Sequence, residues 1–525
     1  MRNIDAAAAK KLVHSRAEMA FLDVREHGPY GEGHPLLAVW CPYSRLELMA
    51  PSLVPNPKVP LVLIDGGAGI AEKAALRLEK MGYQDLMVVA GGTQGWLEAG
   101  YTLFEGEHVP SKTLGELAER TFHPNTIDPE TLAEWQRDAH RHLLFDVRPP
   151  AEHRKMTIPG ARCLPNGELP HRLPAAIPDT EVPIVLTCAG RTRSLIGAIS
   201  LKLLGIENPI YGLRNGTQGW AIAGFDLERG REPGALPFLF RMDLQASRRR
   251  ARDFAQAGGT TVIGMNDLLA LAADLSRTLY LLDVRSAEEF AAGHLAGATH
   301  APCVQIVQAT DRWVGVQRAR LVLADDTGLR ASLVAYWLQH LGYETYVLPD
   351  ADASLAPEGR QVPKLMRPAP LPPLQRMSAQ ETAEAVGRGD ALLLDLRSSS
   401  EHRRQHPAGS RWAIRPELKM ALDSWQGCVC LIADDERIAS LAAIDLREMG
   451  YEDVCFVSGG VSDWNASGLA TDTGWPNSTL QAIDFLAFVH DRHDGNLDAA
   501  RRYLAWETGL VDRLDFQERA RFLLP

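Results

Sequence analysis

The chain has 525 residues and a formal net charge of −11, so it is too long for one hydrophobic core and too acidic for general nucleic-acid binding. It is 46% hydrophobic and 23% charged, as globular proteins are, and no stretch approaches a membrane span. The N-terminus lacks the apolar core of a signal peptide and the seven cysteines give no disulfide framework, so we expect a reducing cytoplasm.

One apolar phrase that contains Asp-x-Arg occurs four times along the chain. Its copies are FLDVRE from Phe21, LFDVRP from Leu144, LLDVRS from Leu281 and LLDLRS from Leu393. A second apolar run and a turn follow each copy, and the turns begin at Asp65, Cys188, Asp325 and Asp434. The first phrase's Asp precedes the turn by 42 residues in three units and by 39 in the fourth. The chain therefore repeats a unit of domain size.

Strands and helices alternate within each unit. This alternation predicts an α/β fold in which a parallel sheet carries helices on both faces and ligands bind beyond the carboxyl ends of the strands. We predict units over residues 1–107, 123–232, 258–356 and 377–475. A small helical tail over residues 476–525 is expected to pack its aromatic side chains against the fourth unit.

The turn of the second unit carries the residues with the clearest chemistry. A buried strand, Pro183–Thr187, runs into a tight loop at Cys188, and a helix begins near Arg193. Free N–H groups and the helix dipole favour negative charge there, and the guanidiniums of Arg191 and Arg193 add to this field. We therefore predict that Cys188 is a nucleophilic thiolate. The predicted anion-binding residues are Ala189, Gly190, Arg191, Thr192, Arg193 and Ser194. Arg193 could contact substrate or brace loop carbonyls, and the residues favour neither role.

The Asp-Val-Arg strand, the Cys-x-x-x-x-Arg loop and a closing Gly-x-x-x-Trp phrase together resemble the rhodanese family of sulfurtransferases. Unit two matches best, with its closing phrase at Gly216–Trp220. The resemblance covers all four units and implies four tandem rhodanese-like domains with a persulfide-forming Cys188. It also implies transfer of sulfane sulfur from thiosulfate, or a similar small anionic donor, to a thiol or cyanide. No cofactor, metal, nucleic acid or membrane partner is expected.

Loop length and charge narrow the expected reaction. Related phosphatases and arsenate reductases have a seven-residue loop, whereas Cys188 to Arg193 is six residues. With Arg191 and Arg193, the loop resembles that of family members that use thiosulfate as the sulfur donor. A dianionic donor such as thiosulfate gains more from two cations than a monoanionic keto-acid donor does. The alternative function is a persulfide carrier or scaffold that serves a partner protein and uses free thiosulfate poorly.

The other three units carry Asp where unit two carries Cys188. Because a carboxylate cannot accept sulfane sulfur, these units should be inactive as sulfurtransferases. We expect Asp65, Asp325 and Asp434 to act as built-in anions that occupy the loop amides and titrate low. Arg330 is expected to pair with Asp325. The alternative is that these loops bind other ligands or a partner protein.

The remaining cysteines suggest packing more than chemistry. Cys428 and Cys430 point to the same side of one strand, but the sequence offers them no second pair, so we interpret them as core residues. Cys163 could resolve the Cys188 persulfide as a disulfide. Asp146 and Arg148, at a strand end, are interpreted as scaffold residues.

Overall fold

Each repeat unit folds around one parallel β-sheet with helices packed against both faces. The computed structural model describes residues 1–177, 179–350, 366, 369–475, 481–485 and 495–525. The two recurring phrases form neighbouring central strands, because their Leu, Val and Ile runs can be buried on both faces. The predicted α/β fold is confirmed in all four units.

Unit one has its strands at β1 (Arg2–Ile4), β2 (Met19–Asp23), β3 (Val39–Trp40), β4 (Leu61–Ile64) and β5 (Leu86–Val89). Its helices are α1 (Ala6–Val13), α2 (His27–Glu32), α3 (Leu46–Leu53), α4 (Ile70–Lys80) and α5 (Gly92–Glu98), with a 3-10 turn at Tyr43–Arg45. Helix α6 (Val109–Phe122) leads into unit two.

Unit two has its strands at β6 (Thr126–Ile127), β7 (Leu143–Asp146), β8 (Arg162–Cys163), β9 (Ile184–Thr187) and β10 (Ile210–Leu213). Its helices are α7 (Pro129–Arg137), α8 (Pro150–Lys155), α9 (Leu169–Ala176), α10 (Thr192–Leu203) and α11 (Gly216–Ile222). Helix α12 (Arg241–Ala257) leads into unit three.

Unit three has its strands at β11 (Thr261–Val262), β12 (Leu279–Asp283), β13 (Thr299–His300), β14 (Val316–Gln317), β15 (Arg320–Ala324) and β16 (Glu344–Leu348). Its helices are α13 (Met265–Ala273), α14 (Ala287–Ala292), α15 (Cys303–Ile306) and α16 (Leu329–His340), with a 3-10 turn at Thr310–Arg312.

Unit four has its strands at β17 (Gln375–Met377), β18 (Ala391–Asp395), β19 (His406–Pro407), β20 (Arg411–Trp412), β21 (Cys428–Ile432), β22 (Val454–Val457) and β23 (Thr471–Asp472). Its helices are α17 (Ala379–Arg388), α18 (Ser399–Arg404), α19 (Leu418–Leu422), α20 (Glu436–Glu448) and α21 (Gly460–Ala466), with a 3-10 turn at Arg415–Glu417. The tail contains α22 (Leu497–Gly509), a 3-10 turn at Leu510–Arg513 and α23 (Phe516–Arg519). Among the described residues, no helix combines the length and apolarity needed to cross a membrane.

The sheets share one strand order, which is β6-β10-β9-β7-β8 in unit two. Unit one follows the same order through β1-β5-β4-β2, with β3 paired to β2. Strand β14 belongs to unit three in sequence but not to the sheet of that unit. It pairs antiparallel with β2 of unit one, so that Val316 lies opposite Ala20. One sheet therefore continues from unit one into unit three, a contact that the repeat pattern does not predict.

The Asp-x-Arg phrase forms a buried ion pair. In unit two, Arg148 donates from Nε to Asp146 Oδ1 at 2.9 Å and from Nη2 to Oδ2 at 2.7 Å. Nη2 also donates to the Met156 carbonyl, and Thr157 Oγ1 donates to Asp146. Burial alone would raise the pKa of Asp146, but Arg148 and these hydrogen bonds hold it well below its usual range. These contacts support the scaffold interpretation. The equivalent pairs are Asp23–Arg25, Asp283–Arg285 and Asp395–Arg397.

The tail packs mainly on units one to three, so the prediction that its aromatic side chains pack against unit four is wrong for Tyr503 and Trp506. Trp506 lies against Gly106, where a Cβ would come within 2.6 Å of the indole. Glu518 of α23 accepts a hydrogen bond from the buried Lys10 at 2.6 Å. Among the described residues, segment 481–485 contacts unit four, through Ile483. The helical pattern shows which face of the tail is apolar, but not which unit receives it.

Candidate functional site

Cys188 lies at the carboxyl end of β9, where the chain turns into α10. The strand is buried throughout and the helix begins at Thr192, close to the predicted start. The thiol is 2% exposed, yet it lines a cleft of about 280 Å³. Its Sγ lies 3.4 Å from Ser194 Oγ. The ligand edge predicted from the topology is therefore where the structure has a cleft.

The closing phrase of unit two, Gly216–Trp220, holds the Cys188 loop in place through backbone hydrogen bonds. Thr217 N donates to the Cys188 carbonyl at 2.8 Å, and Gln218 N donates to the Ala189 carbonyl at 3.1 Å. Gly216 is required here, because it has a φ of +55° and a Cβ would lie 2.2 Å from the Cys188 oxygen. In a trans peptide the N–H points away from the C=O. Because the carbonyls of Cys188 and Ala189 point towards α11, the N–H groups of Ala189 and Gly190 point away from it.

The loop amides form a cradle for an anion. The N–H groups of Ala189, Gly190 and Arg191 donate to no acceptor in the part of the chain that the structure describes. Thr192 opens α10, where the first-turn N–H groups have no helical acceptor. The cleft is lined by all the predicted site residues except Ser194, which instead contacts the thiol; they are Cys188, Ala189, Gly190, Arg191, Thr192 and Arg193.

Arg193 binds a carboxylate rather than loop carbonyls. Its two terminal nitrogens donate to the two oxygens of Glu152, on α8, at 2.6 and 2.8 Å. Burial would raise the pKa of Glu152, but Arg193 lowers it to about 2. Asn166 Nδ2 donates to the Arg193 carbonyl at 2.8 Å. Arg193 is therefore fixed in place beside Cys188, with its charge balanced.

Arg191 is also ion-paired, so the loop cations do not form the uncompensated pair that the sequence suggested. Its Nε donates to Glu116 at 2.7 Å, and its Nη2 donates to Glu119. Both carboxylates come from α6, outside the predicted unit two. Burial raises the pKa of Glu116 to about 7, even though Arg191 opposes the shift. The positive charge around the loop therefore depends on the protonation of Glu116.

The cleft is built from more than one unit. Lys112 comes from α6, Gln308 from unit three, and Tyr503 and Glu507 from the tail. Glu507 accepts a hydrogen bond from Thr192 Oγ1 at 2.8 Å, and its Oε2 is buried with no partner among the described residues. These residues were missed by sequence reasoning, because nothing in their local pattern links them to the loop.

Two of the three Asp-bearing loops contain the built-in anion that the sequence predicts. Asp65 accepts from the N–H groups of Gly67, Ile70 and Ala71 at 2.7, 2.8 and 3.2 Å. It is 2% exposed, and it therefore occupies the position that an anion would take beside Cys188.

Asp325 is held by its own loop and by Arg330, as predicted. Its carboxylate accepts from the N–H groups of Asp326 and Arg330 at 2.9 and 3.0 Å. Arg330 Nε adds a third hydrogen bond at 2.9 Å.

Asp434 departs from this prediction. It is exposed, and Asp435 caps α20 in its place by accepting from Arg437 N at 2.9 Å. Desolvation and the nearby Glu401 raise the pKa of Asp434, so the expectation that it titrates low is wrong. In unit four this loop follows the Asp-x-Arg phrase after 39 residues instead of 42. Asp435, the next residue, is the one that caps the helix.

The other thiols lie apart from this site. Cys163 is not among the residues that line the cleft, and its Sγ contacts the Arg148 carbonyl at 3.8 Å. Burial raises its pKa to about 12, so these contacts give no support to a resolving role. In unit four, Cys428 and Cys430 are joined by Cys455 from the neighbouring strand.

Comparisons with known proteins support the resemblance to the rhodanese family in all four units. The family model for the Rhodanese-like domain matches residues 5–99, 128–223, 265–350 and 378–467. The crystal structure of thiosulfate sulfurtransferase from Pseudomonas aeruginosa has a TM-score of 0.92 and 34% identity, covering 100% of this chain and 99% of that one. A sulfurtransferase from Allochromatium vinosum is 33% identical over 103 residues, which is 20% of this chain and 94% of that protein.

Proposed function

Because the chain belongs to the rhodanese-like family of sulfurtransferases, we propose that it transfers sulfane sulfur from thiosulfate, or a similar anionic donor, through a persulfide on Cys188. The observation that carries this proposal is the difference between the loops. Asp65 and Asp325 fill their own amide rings, whereas the ring beside Cys188 offers free N–H groups next to a thiol.

The reaction follows from this arrangement. The Cys188 thiolate attacks the outer sulfur of thiosulfate, a new S–S bond forms, and the donor's S–S bond breaks with its electron pair leaving on sulfite. The loop N–H groups then stabilise the terminal sulfur of the persulfide as an anion. An acceptor thiolate or cyanide attacks that sulfur and releases the Cys188 thiolate. The cycle is ping-pong and needs no cofactor.

Thiosulfate as the donor is supported by the amide ring and by Lys112 at the cleft. The similar protein from Pseudomonas aeruginosa is called a thiosulfate sulfurtransferase, which favours the same donor here. All seven cysteines are free, and this suits the cytoplasm that we propose as the compartment.

A carrier that receives sulfur from a partner's persulfide is the second candidate. The observation in its favour is that Glu116 and Glu152 already balance the loop cations Arg191 and Arg193, which leaves less net positive charge to attract a small dianion. Initial rates with thiosulfate and cyanide, compared with transfer from a persulfidated protein, separate the two. We expect saturable thiocyanate formation with parallel double-reciprocal lines. Transfer from the protein persulfide alone would instead establish the carrier.

The ion pair at Arg191 predicts that donor binding depends on pH. As the pH falls through about 7, Glu116 takes up a proton and leaves the charge of Arg191 less balanced. Thiosulfate should therefore bind the Cys188→Ser variant roughly three- to ten-fold more tightly at pH 6 than at pH 8. Calorimetric titration of that variant excludes any effect of the thiol itself.

A matched substitution tests the cause of this dependence. Adding Glu116→Gln should give tight binding already at pH 8 and a flatter pH profile, because the amide stays neutral. An unchanged profile in the double variant would assign the effect to a group other than Glu116.

A further inference from the structure

Three adjacent strands of unit four bring sulfur atoms to one side of the sheet. Cys428 and Cys430 lie two apart on β21, so their side chains share a face. Cys455 lies opposite Cys430 in the register of β21 and β22. Met377, on β17, places its Sδ 3.8 Å from Cys430 Sγ. The cluster therefore contains three thiols and a thioether.

The spacing of the thiols fits a single metal ion. Cys428 Sγ lies 4.0 Å from Cys430 Sγ and 3.8 Å from Cys455 Sγ, and all three sulfurs lie within 4.8 Å of one another. An ion with metal–sulfur bonds of about 2.3 Å holds three sulfurs roughly 4 Å apart in a trigonal arrangement. The free thiols already stand close to that geometry.

The donor set selects the kind of metal. Thiolate and thioether ligands favour soft ions, Cu(I) above all where methionine takes part, whereas zinc sites are usually completed by a fourth Cys, His or carboxylate. Cys430 and Cys455 are buried and Cys428 is half-buried, so several uncompensated thiolate charges would be costly at this place. A monovalent ion needs fewer thiolates for charge balance than a divalent one.

We propose that Cys428, Cys430 and Cys455, with Met377 beside them, form a Cu(I) site in unit four. The ion displaces thiol protons to the solvent and forms copper–sulfur bonds, without a change of oxidation state. Cys428 is the half-buried member and gives the ion its route of entry. The cluster lies at the amino end of β21, opposite the Asp434 loop, so the proposal is independent of sulfur transfer at Cys188.

Anaerobic titration with Cu(I) against a chromophoric chelator tests the site, using the full chain with Cys188→Ser to remove the cleft thiol. We expect one tightly held Cu(I) per chain. Adding Cys428→Ser should weaken its binding at least about ten-fold. Cys303→Ser, the same change at a buried thiol of unit three, is the control and should leave binding unchanged.

X-ray absorption on the copper-loaded chain does not depend on how the Cys428 variant folds. Sulfur scatterers alone at about 2.3 Å are expected. Nitrogen or oxygen ligands, or equal copper retention by the Cys428 and Cys303 variants, would overturn the proposal.

Discussion

Cys188→Ser should lower turnover with thiosulfate at least about a thousand-fold while leaving the fold intact. Serine has nearly the same size as cysteine, so the buried loop keeps its packing. A hydroxyl, however, neither ionises at neutral pH nor forms a persulfide. Steady-state thiocyanate formation measures the loss, and thermal unfolding checks the structure.

Cys163→Ser is the matched control, because it makes the same chemical change in the same unit at a thiol outside the cleft. It should keep the activity of the unmodified chain. If Cys163→Ser lost activity to the same degree, the nucleophile would be shared between two thiols. Normal turnover by Cys188→Ser would remove Cys188 from the mechanism.

Arg330→Met should destabilise the protein by about 3–5 kcal/mol. Arg330 is 0% exposed and lies among four carboxylates. Its ion-pair partners are Asp325 at 2.9 Å, Glu168 and Glu289 at 2.7 Å, and Asp326 at 2.8 Å. Because Glu168 belongs to unit two, the substitution leaves buried negative charge at the contact between units two and three.

Arg437→Met provides the comparison for this loss of stability. Arg437 also pairs with a carboxylate, Asp435 at 2.7 Å, but its side chain is 66% exposed. Arg437→Met should lower the free energy of unfolding by at most about 1 kcal/mol. Guanidinium unfolding of both variants, followed through the first transition, measures the difference. Equal losses would show that the buried cluster has no special part in joining the units.

The residues that sequence reasoning identified are those whose partners lie close along the chain. The Asp65 carboxylate accepts hydrogen bonds from Gly67, Ile70 and Ala71, all within six residues of it. A cap of this kind can therefore be predicted from the loop itself. The parallel sheet follows equally from local patterns, because buried strands and amphipathic helices have their own periods.

The residues that it missed are brought in by tertiary contacts. Glu116 reaches Arg191 from 75 residues away, and Glu507 reaches Thr192 from 315. No periodicity encodes such distances. The net charge of the cleft was therefore misjudged, although the cysteine and its loop were placed correctly. Cys455 joins Cys428 in the same way, through a strand register that the sequence does not reveal.

The central claim is that Cys188 carries the transferred sulfur in a ring of free amides, whereas Asp65 and Asp325 fill the equivalent rings of units one and three. Mass spectrometry after incubation with thiosulfate, followed by peptide mapping, tests it most directly. We expect a gain of one sulfur atom on the peptide that contains Cys188, and its loss when cyanide is added. Sulfur on another cysteine, with Cys188 unmodified, would contradict this account.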